Sequence, residues 1–353
     1  MGFDSDEASL RQTVCEIGAG GMMYRPGPKA DIQETHRKIH TMAKIPLLLA
    51  AYTEAGGNGL AAIEGTTFRA PIAVAATSDP ENAYRMDYVA CAEGAAMGLN
   101  WPFAPIVDID REFHNPITNT RTFGSDMDMV IACGGRYMNA ADEIGVAVSI
   151  KHFPGDGVDE RDQHILTSVN SLGCDEWMAT YGKVYRTLIE KGAKTVMVGH
   201  IAQPAWAKKL NPDSTHRETL LPASLNKALL TGLLRGELGF NGMIPTDATP
   251  MVVFTAAMPR RLAIPTAIAA GADMIMFNKS LDEDYGYLPD GIKSGIGSSS
   301  KNTKLILERI GLGDYFDAIS DGNNINHGKR SALLPARLRS SRKSDPMSAF
   351  HPR

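Results

Sequence analysis

The sequence predicts one (β/α)8 barrel of the TIM type on three observations. Short apolar runs alternate with helix-like segments, the runs number eight, and polar side chains recur at their C-terminal ends. Near-continuous apolar strands imply a parallel sheet covered on both faces, and eight such strands close into a barrel whose C-terminal face carries the chemistry. At 353 residues the chain has room for one large barrel and too little for a barrel with a second full domain.

In order, the runs are GGMMYR (20–25), IPLLLAAY (45–52), PIAVAAT (71–77), FAPIVDI (103–109), VAVSIKHF (146–153), TVMVGHI (195–201), GMIPTD (242–247) and DMIMF (273–277). Asp108 and Asp110 close the fourth and Lys151 and His152 the fifth. His200 closes the sixth, Asp247 the seventh, and Asn278 follows the eighth. One polar strand end carries little information, whereas repetition around a barrel marks its catalytic face.

Composition narrows the partners. A net charge of −4 gives no basic footprint for nucleic acid, so a small neutral substrate fits better. Cys15, Cys91, Cys133 and Cys174 are widely spaced in or beside apolar segments, which reads as reduced core thiols rather than a disulfide framework or a zinc site. No apolar run approaches the roughly 18 residues of a membrane span, and no charged start leads into an apolar leader. The expected location is the cytoplasm; nothing in the sequence fixes the oligomeric state.

The stretch KHFPGDGVDERDQH (151–164) sets Asp162 and His164 on a glycine-rich loop directly after an apolar strand. An aspartate on one imidazole nitrogen fixes the tautomer and raises the basicity of the other. Taken without its neighbours, DERDQH is an ordinary solvated loop; the flanking glycines suggest one that swings the histidine over a bound ligand. Asp247, in TDATPM at a strand end, reads on physics alone either as a helix N-cap or as a nucleophile.

KHFPGDG with DQH resembles the KHFPGHG and DSH signature of glycoside hydrolase family 3, in the branch of small β-N-acetylglucosaminidases and β-glycoside phosphorylases with an Asp-His acid/base dyad. The resemblance continues through FAPIVDID (103–110), NTRTFGSD (119–126), TVMVGHI (195–201), LPASL (221–225) and GFNGMIPTDATPM (239–251), and covers about residues 10 to 290. It implies that Asp247 is the nucleophile of a retaining mechanism, about 5 Å from the proton donor, and that His164 is the acid/base with Asp162 orienting it. It implies that Arg121, Lys151 and His152 hold sugar hydroxyls. Asp108 and Asp110 either join them or hold Lys151 and Arg121 in place, and His200 either lines the site or packs at a strand end. The family usually grips the far side of the sugar with an aspartate where this chain has Tyr52-Thr53-Glu54, so Tyr52 or Glu54 substitutes or the grip is weaker.

Two departures fall in the signature itself. Gln163 replaces a serine beside the histidine and is expected to fill the space of an N-acetyl group, favouring β-glucosides over β-N-acetylglucosaminides; Asp156 stands where the family often has histidine, with no account from the sequence. Two more concern the ends. A segment like KIGQLF is missing ahead of SLRQTVCEIG, which is expected to leave the barrel bottom less well plugged. Residues 291–329 resemble a β-phosphoglucomutase fragment of the haloacid dehalogenase superfamily, with GSSSKN and Lys329 but no DxDG nucleophile motif, and 330–353 read as a disordered basic tail. The expected division is therefore a catalytic domain over 1–290, the fragment over 291–329 and the tail over 330–353.

The resemblance implies cleavage of small β-glycosides by double displacement, without metal or organic cofactor. Inorganic phosphate is the expected acceptor and co-substrate, because a carboxylate base would repel it by about 4 kcal/mol at 4 Å and an effective dielectric near 20, or roughly three powers of ten in rate. A neutral imidazole avoids that penalty. Water as the acceptor is the alternative, since hydrolases of this branch resemble the same dyad; an inactive truncated fusion protein is the second.

Overall fold

The computed structural model describes residues 6–57, 62–276, 281–287, 295–297 and 318–320. Two compact units, Met1–Leu288 and Pro289–Arg353, divide the chain. In the second, the described residues are two short parallel strands, Gly295–Gly297 against Ala318–Ser320; the rest of the expected fragment and the tail lie outside the described residues, as does Asn278.

The first unit is a parallel α/β barrel. Its described strands are β1 (Gly21–Met23), β2 (Leu48–Ala51), β3 (Trp101–Pro102), β4 (Ser149–Phe153), β5 (Ser168–Val169), β6 (Thr195–Val198), β7 (Ile201–Ala202), β8 (Pro245–Ala248) and β9 (Met274–Met276). The ladder runs β1-β2-β3 and β4-β6-β8-β9, all parallel, and an Ile106–Lys151 bridge joins the two halves. Around the seam, a Cβ on Gly20 would lie 3.3 Å from the Met274 Cε, so β9 returns beside β1. β5 and β7 form a separate pair beyond the barrel strands.

Period-two alternation explains how these strands pack. In β6, Met197 joins an inner apolar cluster while Val196 and Val198 join the large cluster shared with the helices. Ala50, Trp101, Phe103, Met197 and Met276, with Met23, Leu48, Ala147, Met243 and Met274 against them, draw that inner cluster from all seven ladder strands or their approaches. A filled interior of this kind is a barrel core rather than a pore. The Trp101 indole N–H donates to Thr195 Oγ1 at 3.0 Å, tying β3 to β6.

Seven ladder strands, not eight, stand among the described residues, because the expected strand PIAVAAT is the helix Pro71–Ala75. Pro71 occupies its first turn, where a missing N–H costs nothing, and the alanines that follow favour helix over strand. An apolar run this short does not distinguish the two by periodicity. FAPIVDI differs more mildly: ladder pairing begins earlier, at Trp101, and past the Ala104–Pro105 bond only Ile106 bridges to β4.

The longest helix among the described residues shows the local rules at work. Met127–Ile144 starts at Asp126, whose carboxylate accepts the N–H groups of Asp128 and Met129, and stops at Gly145 in the left-handed region. It packs Val130, Cys133, Tyr137, Met138 and Ala141 into the core, the spacing of one helical face. At the N-terminus, Leu10 and Val14 pack with Ile39, Leu47 and Leu49.

Candidate active site

The polar strand ends assemble from the second strand onward. Glu54, just past β2, has 12% of its side chain exposed and receives Arg121 in a fork, Nη2 at 2.8 Å and Nε at 3.0 Å. The fully buried Lys151 Nζ, on β4, reaches the same carboxylate at 2.7 Å and lies 4.6 Å from the centre of the Tyr52 ring. Burial alone would push the Glu54 carboxyl up, but Lys151 and Arg121 hold it well below the usual range. Burial likewise pulls Lys151 down and pushes the Tyr52 phenol up. Glu54, and neither Asp108 nor Asp110, therefore holds Lys151 and Arg121.

Asp108 serves His152 instead. Its Oδ2 lies 2.7 Å from His152 Nδ1, and its Oδ1 accepts the backbone N–H of His152 at 3.2 Å and of Asp156 at 2.8 Å. A carboxylate at Nδ1 places the proton there and leaves Nε2 aimed elsewhere; that nitrogen stands 4.0 Å from Asp247 Oδ2. Asp110 meets Thr118 Oγ1 at 3.3 Å and is pushed up by burial.

Asp247, on β8, is 7% exposed. Burial opposes its charge, yet His152, His200, the Ala248 N–H that donates to Oδ1 at 2.7 Å, and Lys151 bring the carboxyl below its ordinary range. It is an anion at neutral pH, ready to attack rather than to donate a proton. His200, just past β6, is wholly buried and pulled down by burial. Its Nε2 is 3.0 Å from the Ala248 carbonyl, so Nε2 carries the hydrogen, and Nδ1 accepts from the Ser224 hydroxyl at 2.7 Å. Both ring nitrogens are thus engaged by protein, and the ring is seated on Phe254 with ring centroids 5.2 Å apart.

The loop after β4 carries the dyad. His164 Nδ1 is 2.7 Å from Asp162 Oδ1, which also accepts the His164 N–H at 2.8 Å. The imidazole is about half exposed and the Asp162 side chain 32% exposed. Val252, five residues beyond Asp247, donates its N–H to the His164 carbonyl at 3.0 Å, and the loop ends where β5 pairs with β7, just past His200. The dyad is therefore anchored to the segments that follow β6 and β8.

The glycines have a different role from the swing expected of them. A Cβ on Gly155 would lie 2.1 Å from the Tyr181 ring, and one on Gly157 2.1 Å from the Ile109 carbonyl oxygen, both at positive φ. They are close-packing positions. Three successive loop carbonyls, those of Pro154, Gly155 and Asp156, accept from Trp177 Nε1 at 2.9 Å, Asn170 Nδ2 at 3.0 Å and the Tyr181 hydroxyl at 2.6 Å.

Gln163 does not occupy the place the sequence suggested. It is 1% exposed; its Nε2 donates to Asp156 Oδ2 at 2.9 Å, and its Oε1 accepts the His200 N–H at 3.2 Å. An amide bound inside the loop at both ends does not fill an N-acetyl pocket, so the steric argument for glucosides falls away. Asp156, unexplained in the sequence, is the centre of this loop. Its Oδ1 accepts from Asn115 at 2.9 Å, Gly157 N–H at 2.8 Å and Ser168 at 3.4 Å, and burial, reinforced by the Asp108 carboxylate, raises it to about 6. Sequence reasoning missed Ser224 and Asn115 as well; the LPASL motif contained the first, and nothing local marked the second. No group of three or more potential metal ligands occurs among the described residues, and none of their helices is long and apolar enough to cross a membrane.

The model of the Glycosyl hydrolase family 3 N terminal domain matches residues 11–310. A β-N-acetylglucosaminidase/β-glucosidase of Cellulomonas fimi is 45% identical over 310 residues, 88% of this chain and 55% of that protein. Among solved structures, β-glucoside phosphorylase BglX bound to 2FGlc is 43% identical with a TM-score of 0.79, over 83% of this chain and 52% of that one. A glycoside hydrolase family 3 β-N-acetylglucosaminidase from Paenibacillus sp. is 25% identical with a TM-score of 0.71, over 81% and 54%. The chain spans about half the length of these relatives. A parallel barrel with a buried, ionised Asp247 at one strand end, a Lys151-His152 pair at another and an Asp162-His164 dyad on the loop between, matched along most of its length by that model, belongs to glycosyl hydrolase family 3.

Proposed function

We propose that the chain cleaves small β-glucosides or β-N-acetylglucosaminides by double displacement. The observation that carries this reading is the division of labour between Asp247, buried and held as an anion, and His164, accessible on its loop with Nδ1 engaged by Asp162. Asp247 attacks the anomeric carbon to give a glycosyl ester, and His164 protonates the departing oxygen through Nε2. His164 then takes a proton from the acceptor, whose oxygen displaces the aspartate. Lys151 and Arg121 supply donors for the sugar hydroxyls and His152 offers its Nε2 to another, with Glu54 fixing the first two and Asp108 the third.

Phosphate is the acceptor in this reading. An imidazole can be neutral where a carboxylate would be charged, so it admits an anion to the second step. The similar β-glucoside phosphorylase supports this acceptor; the Cellulomonas fimi relative, named for both sugar types, supports leaving the choice of sugar to experiment. Release of 4-nitrophenol from matched β-glucoside and β-N-acetylglucosaminide, with and without millimolar phosphate, tests both points. Turnover stimulated by phosphate and yielding sugar 1-phosphate is expected. Release of free sugar at a rate indifferent to phosphate would make water the acceptor.

A further inference from the structure

The two departures within the KHFPGHG and DSH signature, at residues 156 and 163, are in contact. Gln163 Nε2 donates to Asp156 Oδ2 at 2.9 Å, and both residues are 1% exposed. The contact belongs to a longer chain of bonds. Asp156 N–H donates to Asp108, which holds His152; Gln163 Oε1 accepts the His200 N–H, and His200 Nε2 donates to the carbonyl of Ala248, next to Asp247. One buried line therefore runs from the His152 side of the site to the Asp247 side.

Gln163 lies between Asp162 and His164 in the sequence, so fixing its amide inside the protein fixes the backbone that bears the dyad. A serine at 163 is too short to reach Asp156, and a histidine at 156 would present a ring where three donors now meet one carboxylate oxygen. We infer that Asp156 and Gln163 are a coupled pair of positioning residues that hold the Asp162-His164 dyad in register with Asp247. Neither needs to touch the sugar. This inference rests on the proposed role of His164 as acid/base.

The test uses the full chain carrying Gln163→Ser, Asp156→His or both, with each variant's fold checked by circular dichroism. Two aryl β-glycosides are compared: 2,4-dinitrophenyl, which leaves without a proton, and 4-methylphenyl, which needs one. Each single variant is expected to lose roughly tenfold or more in kcat/KM on the methylphenyl substrate beyond its loss on the dinitrophenyl one, the signature of impaired proton donation. The double variant is expected to do better than the product of the two single losses, because a pair in contact is not additive. Gln163→Asn, a milder change that shortens the amide by one methylene, serves if Asp156→His does not fold, and should show the same dependence on leaving group. Equal losses on both substrates, or single losses that multiply in the double variant, would overturn the pairing. Wild-type protein and His164→Ala that show no difference in leaving-group dependence would instead overturn the role of His164, and the pairing with it.

Discussion

At the scale of the residue, charge neutrality organises the site. Glu54 takes two cations, so Glu54→Gln strips the fully buried Lys151 of its hydrogen-bonded countercharge. Breaking such a pair costs about 3–5 kcal/mol, and the variant should melt earlier and bind substrate more weakly, read as a raised KM. The Glu54 carboxyl is held low in the folded state, so its contribution is present above the unfolded value and is lost as pH falls below about 4.3 toward the depressed folded one. Acid melts of wild type and Glu54→Gln should therefore converge as pH drops; curves that stay parallel would contradict this. Asp247→Asn should lower kcat by about a thousandfold or more while leaving the fold intact, since it removes the proposed nucleophile and little packing. Residue types were legible in the sequence here, but partners were not. Asp247, Lys151 and His152 were recognisable at strand ends, whereas the pairing of Lys151 and Arg121 with Glu54, across 97 and 67 positions of sequence, needs three-dimensional proximity.

At the scale of the element, the β4 loop is held by its carbonyls and by two glycines that admit no side chain. Gly157→Ala would place a methyl group within 2.1 Å of the Ile109 carbonyl, at positive φ; it should reduce kcat and loosen the loop, seen as faster limited proteolysis between 157 and 167. The helices Glu81–Ala96 and Met127–Ile144 make a second point. Asp87 is wholly buried, accepts Cys91 Sγ at 3.2 Å, and is pushed far above the usual range by burial. Its folded state keeps a proton that the unfolded chain releases near pH 4, so this group's contribution to stability falls as pH rises from there. Asp87→Asn should gain stability relative to wild type between pH 5 and 8, measured by thermal melting at each pH; a constant offset would contradict the burial argument. The glycines of PGDG showed in the sequence that something unusual happens there, but a positive φ and a close contact look the same as flexibility until the neighbouring Tyr181 and Ile109 are placed.

At the scale of the whole molecule, alternating apolar runs and polar strand ends made the barrel legible, because parallel strands buried on both faces have a composition of their own. The strand count was not, since PIAVAAT satisfies a buried strand and a short alanine-rich helix equally until Pro71 finds its place at a helix start. Both signature departures were visible, Gln163 misread and Asp156 left without an account; their contact at 2.9 Å makes them one feature. The molecule thus brings together the ends of β2, β4 and β8 and the loop after β4, and in the proposed mechanism one carboxylate attacks there while one imidazole moves protons. Covalent trapping tests this most directly: incubation with 2-deoxy-2-fluoro β-glucosyl fluoride, followed by mass mapping of the labelled peptide. The account predicts one fluoroglucosyl group on Asp247, absent from Asp247→Asn; label on another residue, or steady turnover of aryl glycosides with no trapped ester, would contradict it.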